Sequence, residues 1–294
     1  MMSPQAPFGN STCAGLGREY GEDGVFEYTQ IKTADSSNLH TMDFALTPEA
    51  EVFRDELRAF LATHHPGPPP RDPSERLEHD RAFAALLADN GYAAPAWPRE
   101  WGGMDLPLAC QLVYHEEFAR ARAPRHPSPV AFIVGPTLIR HGTKEQRERF
   151  LEPMVRADEL WCQGFSEPNA GSDLPGLRTR AVQDGDHYVV DGQKVWTTGA
   201  SLADWMFALV RTGTQQARQD GISYLLIDMR SPGITTRPLR DMTGRSHFSE
   251  VFLEQVRVPV ENRVGPENGG WRIARTSLGH ERSTAFIAAS LRYG

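Results

Sequence analysis

Apolar residues recur at three- and four-residue intervals in the first half of the chain and at two-residue intervals through most of the second, so the period itself divides the molecule. Phe53, Leu57, Phe60 and Leu61 share one face of a helix that Thr47 caps and Pro48 opens, and Gly67-Pro68-Pro69-Pro70 stops it. Leu77, Phe83, Ala84, Leu86 and Leu87 define a second helix ending at Asn90-Gly91. A third runs from Leu108 to Arg120, with Leu112, Val113 and Phe118 on its apolar side and Glu116 and Glu117 in solvent. Thr143 and Gln146 form a T-x-x-Q capping box for a helix through Phe150 and Leu151.

Beyond Trp161 the pattern reads as short strands: 180–182, 187–190, 195–198, 205–211, 222–228 and 251–258. Asp184-Gly185 and Asp191-Gly192 punctuate them as hairpin turns. From Trp271 the helical period returns, with Ile273, Leu278, Ala285, Phe286, Ala289 and Leu291 as inward positions. One such helix cannot bury both faces, so it packs on the β domain, docks a partner, or opens a truncated larger helical domain. Residues 1–41, rich in Gly, Ser, Thr and Asn, show no sustained period and read as a disordered extension, with Met42 as the natural start. The fold class is α+β: an N-terminal helical domain (42–160), a middle antiparallel β domain (161–270) and the first helix of a truncated C-terminal helical domain (271–294).

Composition narrows the function. Apolar residues make up 39 %, enough for a sizeable core, and a net charge of −7 offers no basic field for a nucleic acid. No run approaches the roughly 18 uninterrupted apolar residues of a membrane span, and no secretory leader opens the chain, which places it in the cytoplasm. Cys13, Cys110 and Cys162 are odd in number and widely spaced, the pattern of plain thiols rather than of disulfides or a metal site. Neither G-x-G-x-x-G nor G-x-x-x-x-G-K-[ST] occurs, which argues against NAD and ATP.

The candidate chemistry lies between Trp161 and Ala200. In Phe165-Ser166-Glu167-Pro168-Asn169-Ala170-Gly171-Ser172-Asp173 the small residues leave backbone N–H groups free to approach a phosphate or a flavin edge, and Ser166 and Ser172 add hydroxyl donors. A turn whose polar residues satisfy one another locally is the competing reading. In Lys194-Val195-Trp196-Thr197-Thr198, Trp196 and Thr198 share one strand face and Thr197 takes the other. That tryptophan either stacks on a planar cofactor or sits in an ordinary core.

The ordered blocks GFSEPNAGSDL, VDGQKVWTTGA and FSEVFLEQVRVPVENRVGPENGGW resemble the acyl-CoA dehydrogenase family, and Ala94-Pro95-Ala96-Trp97-Pro98 through Trp101-Gly102-Gly103 is similar to its N-terminal helical domain. The likeness spans about Met42 to Arg292. It implies a flavoenzyme with FAD between the β domain and the C-terminal helices. Gln163, Gly164, Phe165, Ser166 and Ser172 then belong to the loop contacting the isoalloxazine and pyrophosphate, and Trp196, Thr197 and Thr198 to the strand beside the flavin. Ser172 also matches a position touching the acyl-CoA; Gly279 and Arg282 open the substrate-contacting helix, Arg282 near the CoA moiety. Such enzymes take the α-proton of an acyl thioester with a carboxylate and pass the β-hydrogen to the flavin, giving a trans-2-enoyl-CoA. Glu281 aligns with that base in the isovaleryl-type and long-chain-type members, and its competing reading is a solvated or Arg-paired carboxylate. The implied activity is FAD-dependent dehydrogenation of an acyl-CoA, with electrons passed to an electron-transfer flavoprotein in a homo- or hetero-oligomer. The alternatives are a non-catalytic or partner-dependent subunit, or remnant, of a heteromeric acyl-CoA dehydrogenase, and an oxygen-using flavin relative.

Overall fold

The computed structural model describes the backbone of residues 45–290 and the side chains of 45–282, so the reading of 1–41 and of Ala285, Phe286, Ala289 and Leu291 falls outside the described side chains. Helix α1 (Pro48–His64) starts as its sequence dictates: the Thr47 hydroxyl accepts the Ala50 N–H at 3.3 Å and Pro48 takes the first turn. Asp72 and Pro73 repeat the device for α2 (Pro73–Asp89). Helices α3 (Leu108–Arg120), α4 (Ala131–His141) and α5 (Lys144–Val155) follow. At α5 both halves of the capping box form: Gln146 N–H donates to the Thr143 hydroxyl at 3.2 Å and Thr143 N–H to the Gln146 side chain at 3.1 Å.

Two helical expectations are corrected. The buried stripe of α3 is Cys110, Val113, Tyr114 and Glu117, not the side carrying Leu112, which is 49 % exposed. Glu117 is buried because Arg58 of α1 meets it with two parallel hydrogen bonds of 2.7 and 2.8 Å, a geometry that compensates the lost hydration. Helix α4 was not anticipated. It carries Gly135 and Pro136 in its interior, so its composition argues locally against a helix. Gly135 at its centre lies against the buried Trp97 indole, with which any Cβ would overlap.

Eight strands form one sheet among the described residues: β1 (Trp161–Gly164), β2 (Arg180–Asp184), β3 (His187–Thr198), β4 (Trp205–Arg211), β5 (Ile222–Asp228), β6 (Ile234–Leu239), β7 (Phe248–Pro259) and β8 (Arg263–Val264). The order is β6-β7-β3-β2-β4-β5-β8, with β1 paired to β4. Pairing is antiparallel except that β1 runs parallel to β4 and β2 touches β4 in parallel at Arg180 and Arg211. Asp184-Gly185 makes the expected hairpin, Gly185 taking φ +62°. Asp191-Gly192 does not turn. Strand β3 continues through it with a shift of register, and the Asp191 carboxylate accepts the N–H of Gln255, whose φ is +54°. An Asp-Gly pair thus serves a bulge here rather than a hairpin.

All seven residues of β4 are buried because the sheet carries a core on each face. Phe207 and Leu209 pack toward Val134, Leu138, Leu151 and Met154 of the helices. Met206, Ala208 and Val210 pack toward Val190, Leu225, Val251 and Val256. Helix α6 (Gly270–Ser290) leaves the sheet with Ile273 and Ala274 buried and Leu278 half-buried against the helical side. Cys110 and Cys162 are buried free thiols whose titration burial pushes up. No helix of the described residues is long and apolar enough to cross a membrane.

His126 latches the helices to the sheet: one ring nitrogen lies 3.0 Å from the Met154 carbonyl, and the other lies 3.2 Å from the Ser128 N–H, while the Ser128 hydroxyl donates to Trp161 O at 2.8 Å. Burial holds this imidazole below the ordinary histidine value, against the opposing pull of its backbone contacts. A depressed histidine leaves its stabilisation intact above the unfolded pKa of about 6.5 and loses it as pH falls toward the folded value. Denaturant midpoints are therefore expected to fall below about pH 6.5, with a slope of up to about 1.4 kcal/mol per pH unit from this residue, and His126→Gln is expected to flatten that slope. Gly135→Ala tests the Trp97 contact. Alanine improves helix propensity by about 1 kcal/mol, yet the variant is expected to unfold at lower urea, because overpacking of this kind costs about 1–3 kcal/mol.

Candidate active site

The loop leaving β1 and the tryptophan strand are joined by hydrogen bonds. Val195 N–H donates to Ser166 O at 2.9 Å, and beneath that contact Lys194 reaches across from β3. Its ammonium, fully buried, donates to the Glu167 carboxylate at 2.8 Å, to Leu209 O at 2.7 Å and to Phe165 O at 3.3 Å, so its three protons are satisfied. Glu167 in turn accepts the N–H groups of Arg178 at 2.6 Å and Thr179 at 2.9 Å. Burial alone would raise the Glu167 carboxyl, but Lys194 and the amide donors outweigh it and hold it below the usual carboxylate range. Burial pulls the Lys194 ammonium down while the charge and hydrogen bond of Glu167 oppose that pull.

Between these anchors the chain turns tightly: Glu167 and Ala170 exchange two backbone hydrogen bonds of 3.0 Å across Pro168-Asn169. The turn is thus locally satisfied at its base, while Gly171, Ser172 and Asp173 stay exposed beyond it. Asp173 pairs with Arg218, and the buried Arg211 guanidinium donates to Pro175 O at 2.7 Å and Leu177 O at 3.2 Å, which fixes the far end of the loop.

Trp196 is 63 % exposed and takes φ +59°, a left-handed backbone that is an outlier for a bulky aromatic residue. The cause is a bulge: Lys194 pairs with Val251 and Thr197 with Ser249, so Val195 and Trp196 together oppose one residue of β7. Such a conformation costs of order 1–3 kcal/mol and persists only where its surroundings enforce it. The bulge shifts the phase of the strand, so that Lys194 points into the core while Trp196 and Thr198 face out and Thr197 is buried. Phe248 meets the Trp196 ring edge to face, with centroids 6.1 Å apart and planes at 83°. The ordinary-core reading of this tryptophan is set aside.

The residues expected from sequence therefore separate into two sets. Ser166, Ser172, Trp196 and Thr198 present side chains at or near the surface, as do Gln163 and Glu281, both half-buried, and the exposed Gly279 and Arg282. Gln163 and Glu281 meet: the Gln163 amide donates to the Glu281 carboxylate at 3.3 Å. The side chains of Phe165 and Thr197 are buried, and Gly164 packs on Met206, so these three offer a ligand only their backbone. Phe165 stacks edge-on against Phe207 and Tyr224 instead. Beside Glu281, burial and the Arg140 charge hold His280 below the usual histidine range, so it is neutral near pH 7. Sequence reasoning missed Glu167, Lys194 and Arg211 as supports; a lone buried-strand lysine beside the Trp-Thr-Thr run was the available sign.

An isoalloxazine fits what this surface offers. A planar aromatic face, Trp196, shares an exposed strand face with the Thr198 hydroxyl, which suits a polar ring edge; the adjoining loop carries Ser166 and Ser172, and Gly171 and Gly199 leave open space where a Cβ would project.

Two family models match: the acyl-CoA dehydrogenase N-terminal domain over residues 47–158 and the acyl-CoA dehydrogenase middle domain over 162–256. Acyl-CoA dehydrogenase IpdE1 of Mycobacterium tuberculosis is 40 % identical over 255 residues, covering 83 % of this chain and 66 % of that protein. FadE34 of the same organism is 48 % identical over 196 residues, 67 % of this chain and 27 % of its own length. The chain thus spans two thirds or less of these relatives. Among solved structures, the ChsE4-ChsE5 complex from Mycobacterium tuberculosis superposes with a TM-score of 0.68 at 38 % identity, covering 81 % of this chain and 61 % of that one. The Tcur3481-Tcur3483 steroid ACAD (G363A variant) gives 0.70 at 33 %, with coverage of 82 % and 63 %.

The buried ion pair predicts its own measurement. Lys194→Met leaves a buried carboxylate without its cation and is expected to destabilise the fold by about 3–5 kcal/mol. Adding Glu167→Gln is expected to recover part of the loss, so a double-mutant cycle on urea midpoints reads a coupling of kilocalories rather than simple additivity.

Proposed function

The chain belongs to the acyl-CoA dehydrogenase family of flavin-linked oxidoreductases, and from that membership we propose that it works as a partner-dependent subunit of a heteromeric acyl-CoA dehydrogenase. The observation that carries this reading is the exposed, left-handed Trp196 on a strand whose Val195 N–H bonds to Ser166 O of the β1 loop, together with the hydrogen bond that joins Gln163 to Glu281. Partner dependence is supported by the ChsE4-ChsE5 complex and by the paired name of the Tcur3481-Tcur3483 steroid ACAD.

In this reading Ser166, Trp196 and Thr198, with the backbone of 163–166 and of Thr197, hold FAD, which supplies the two-electron acceptor when bound. Ser172, Gly279 and Arg282 meet the CoA portion, the arginine through its permanent charge. Glu281 takes the α-proton of the thioester. Its carboxylate continues the inward stripe of α6 that contains Ala274, Ser277 and Leu278, so it reaches the β1 edge where the half-buried setting limits water. The steroid substrate named for one relative makes a bulky polycyclic acyl-CoA the first thioester to assay. Electrons leave to an electron-transfer flavoprotein.

The test is co-purification with a second acyl-CoA dehydrogenase-like subunit encoded nearby. A yellow complex bleached by a steroid acyl-CoA without oxygen uptake is expected, with little activity from this chain alone. Glu281→Gln is expected to keep its FAD and its affinity for acyl-CoA but to bleach about 10²–10⁴-fold more slowly. A colourless pair after FAD reconstitution overturns the proposal.

A further inference from the structure

Helix α6 is held in rotation by a buried cluster of hydroxyls. Ser277 lies 2.9 Å from the Thr137 hydroxyl of α4 and 3.1 Å from the Tyr224 hydroxyl of β5, and all three groups are shielded from water. Burial pushes the Tyr224 phenol up, so it stays protonated and available as a donor. Thr137 also donates to Ile133 O at 2.8 Å, which settles the direction of that end of the network. One turn beyond Ser277, on the same face, stands Glu281.

The hydroxyl cluster sets where the Glu281 side chain leaves the helix but not where its carboxylate ends, since three side-chain torsions remain free. The Gln163 amide supplies that constraint from the other wall. Gln163 is itself fixed by the parallel ladder in which it pairs with Phe207, and its bond to Glu281 joins positions 118 apart in sequence. The donor is uncharged. A cation at this distance would depress a carboxyl by about 1–3 units and weaken it as a base, whereas an amide orients it with a smaller effect. We propose that Gln163 is a positioning residue for Glu281, holding the carboxylate between β1 and α6 in the orientation from which it takes a substrate proton.

This rests on the reading of Glu281 as the base, and the experiment separates the two. In the full chain, labelled with ¹³C at glutamate side-chain carboxyls, the Glu281 resonance is identified by its loss in Glu281→Gln. In Gln163→Leu it is expected to move at fixed pH relative to the wild type, because the amide that orients the carboxylate has been removed. In the FAD-loaded complex with its partner, Gln163→Leu is expected to lower kcat about tenfold or more with KM changed less than about threefold. FAD content and visible spectrum are expected to stay unchanged. Gln163→Met serves as the second variant if leucine fails to fold. An unmoved resonance overturns the proposal, as does loss of FAD with the resonance unmoved, which would make Gln163 a cofactor contact alone. Full activity in Glu281→Gln removes the base reading and this inference with it, whereas a moved resonance with unchanged kcat overturns only the role of Gln163.

Discussion

A single buried ion pair decides the shape of the site. Glu167 and Lys194 lie on the two elements that form the candidate flavin surface, and both are removed from water. Their attraction is useful only because every remaining donor and acceptor is also met: the lysine by two carbonyls, the carboxylate by two amides. In a low-dielectric interior a partly satisfied pair would be worse than an apolar contact, while a fully satisfied one defines a unique relative placement of loop and strand. The exposed side of both elements, with Ser172 on one and Trp196 on the other, inherits that placement.

Around this pair the fold supplies two rigid walls. One is the sheet, where β4 is buried on both faces and therefore cannot tilt toward either core without opening a void in the other. The other is α6, pinned through Ser277 to α4 and β5. The candidate base and its amide partner stand where these walls approach, so their geometry depends on packing set well away from the reacting atoms.

What the sequence made legible was local. Thr47-Pro48, the Thr143/Gln146 box and Asp184-Gly185 each satisfy backbone groups within a few residues, and each took its expected form. The ordered family blocks also identified the loop and strand that the fold brings together. Features needing distant partners were hidden: Glu117 reads as solvated until Arg58, 59 positions away, arrives, and Lys194 meets Glu167 across 27. Helix α4 escaped notice for a different reason. Gly135 and Pro136 argue locally against a helix that tertiary packing nonetheless keeps. Asp191-Gly192 carries the composition of a hairpin, but β3 runs on through it, and Asp191 faces a bulge of β7 at Glu254 and Gln255.

The left-handed tryptophan has a consequence for anyone selecting variants of this protein. Glycine would occupy φ +59° without steric penalty, so screens that reward heat or protease resistance alone favour replacing Trp196, the residue whose exposed ring defines the surface. Retention of the aromatic ring against that bias, across a panel of stabilised descendants, would mark the position as one held by ligand selection rather than by folding.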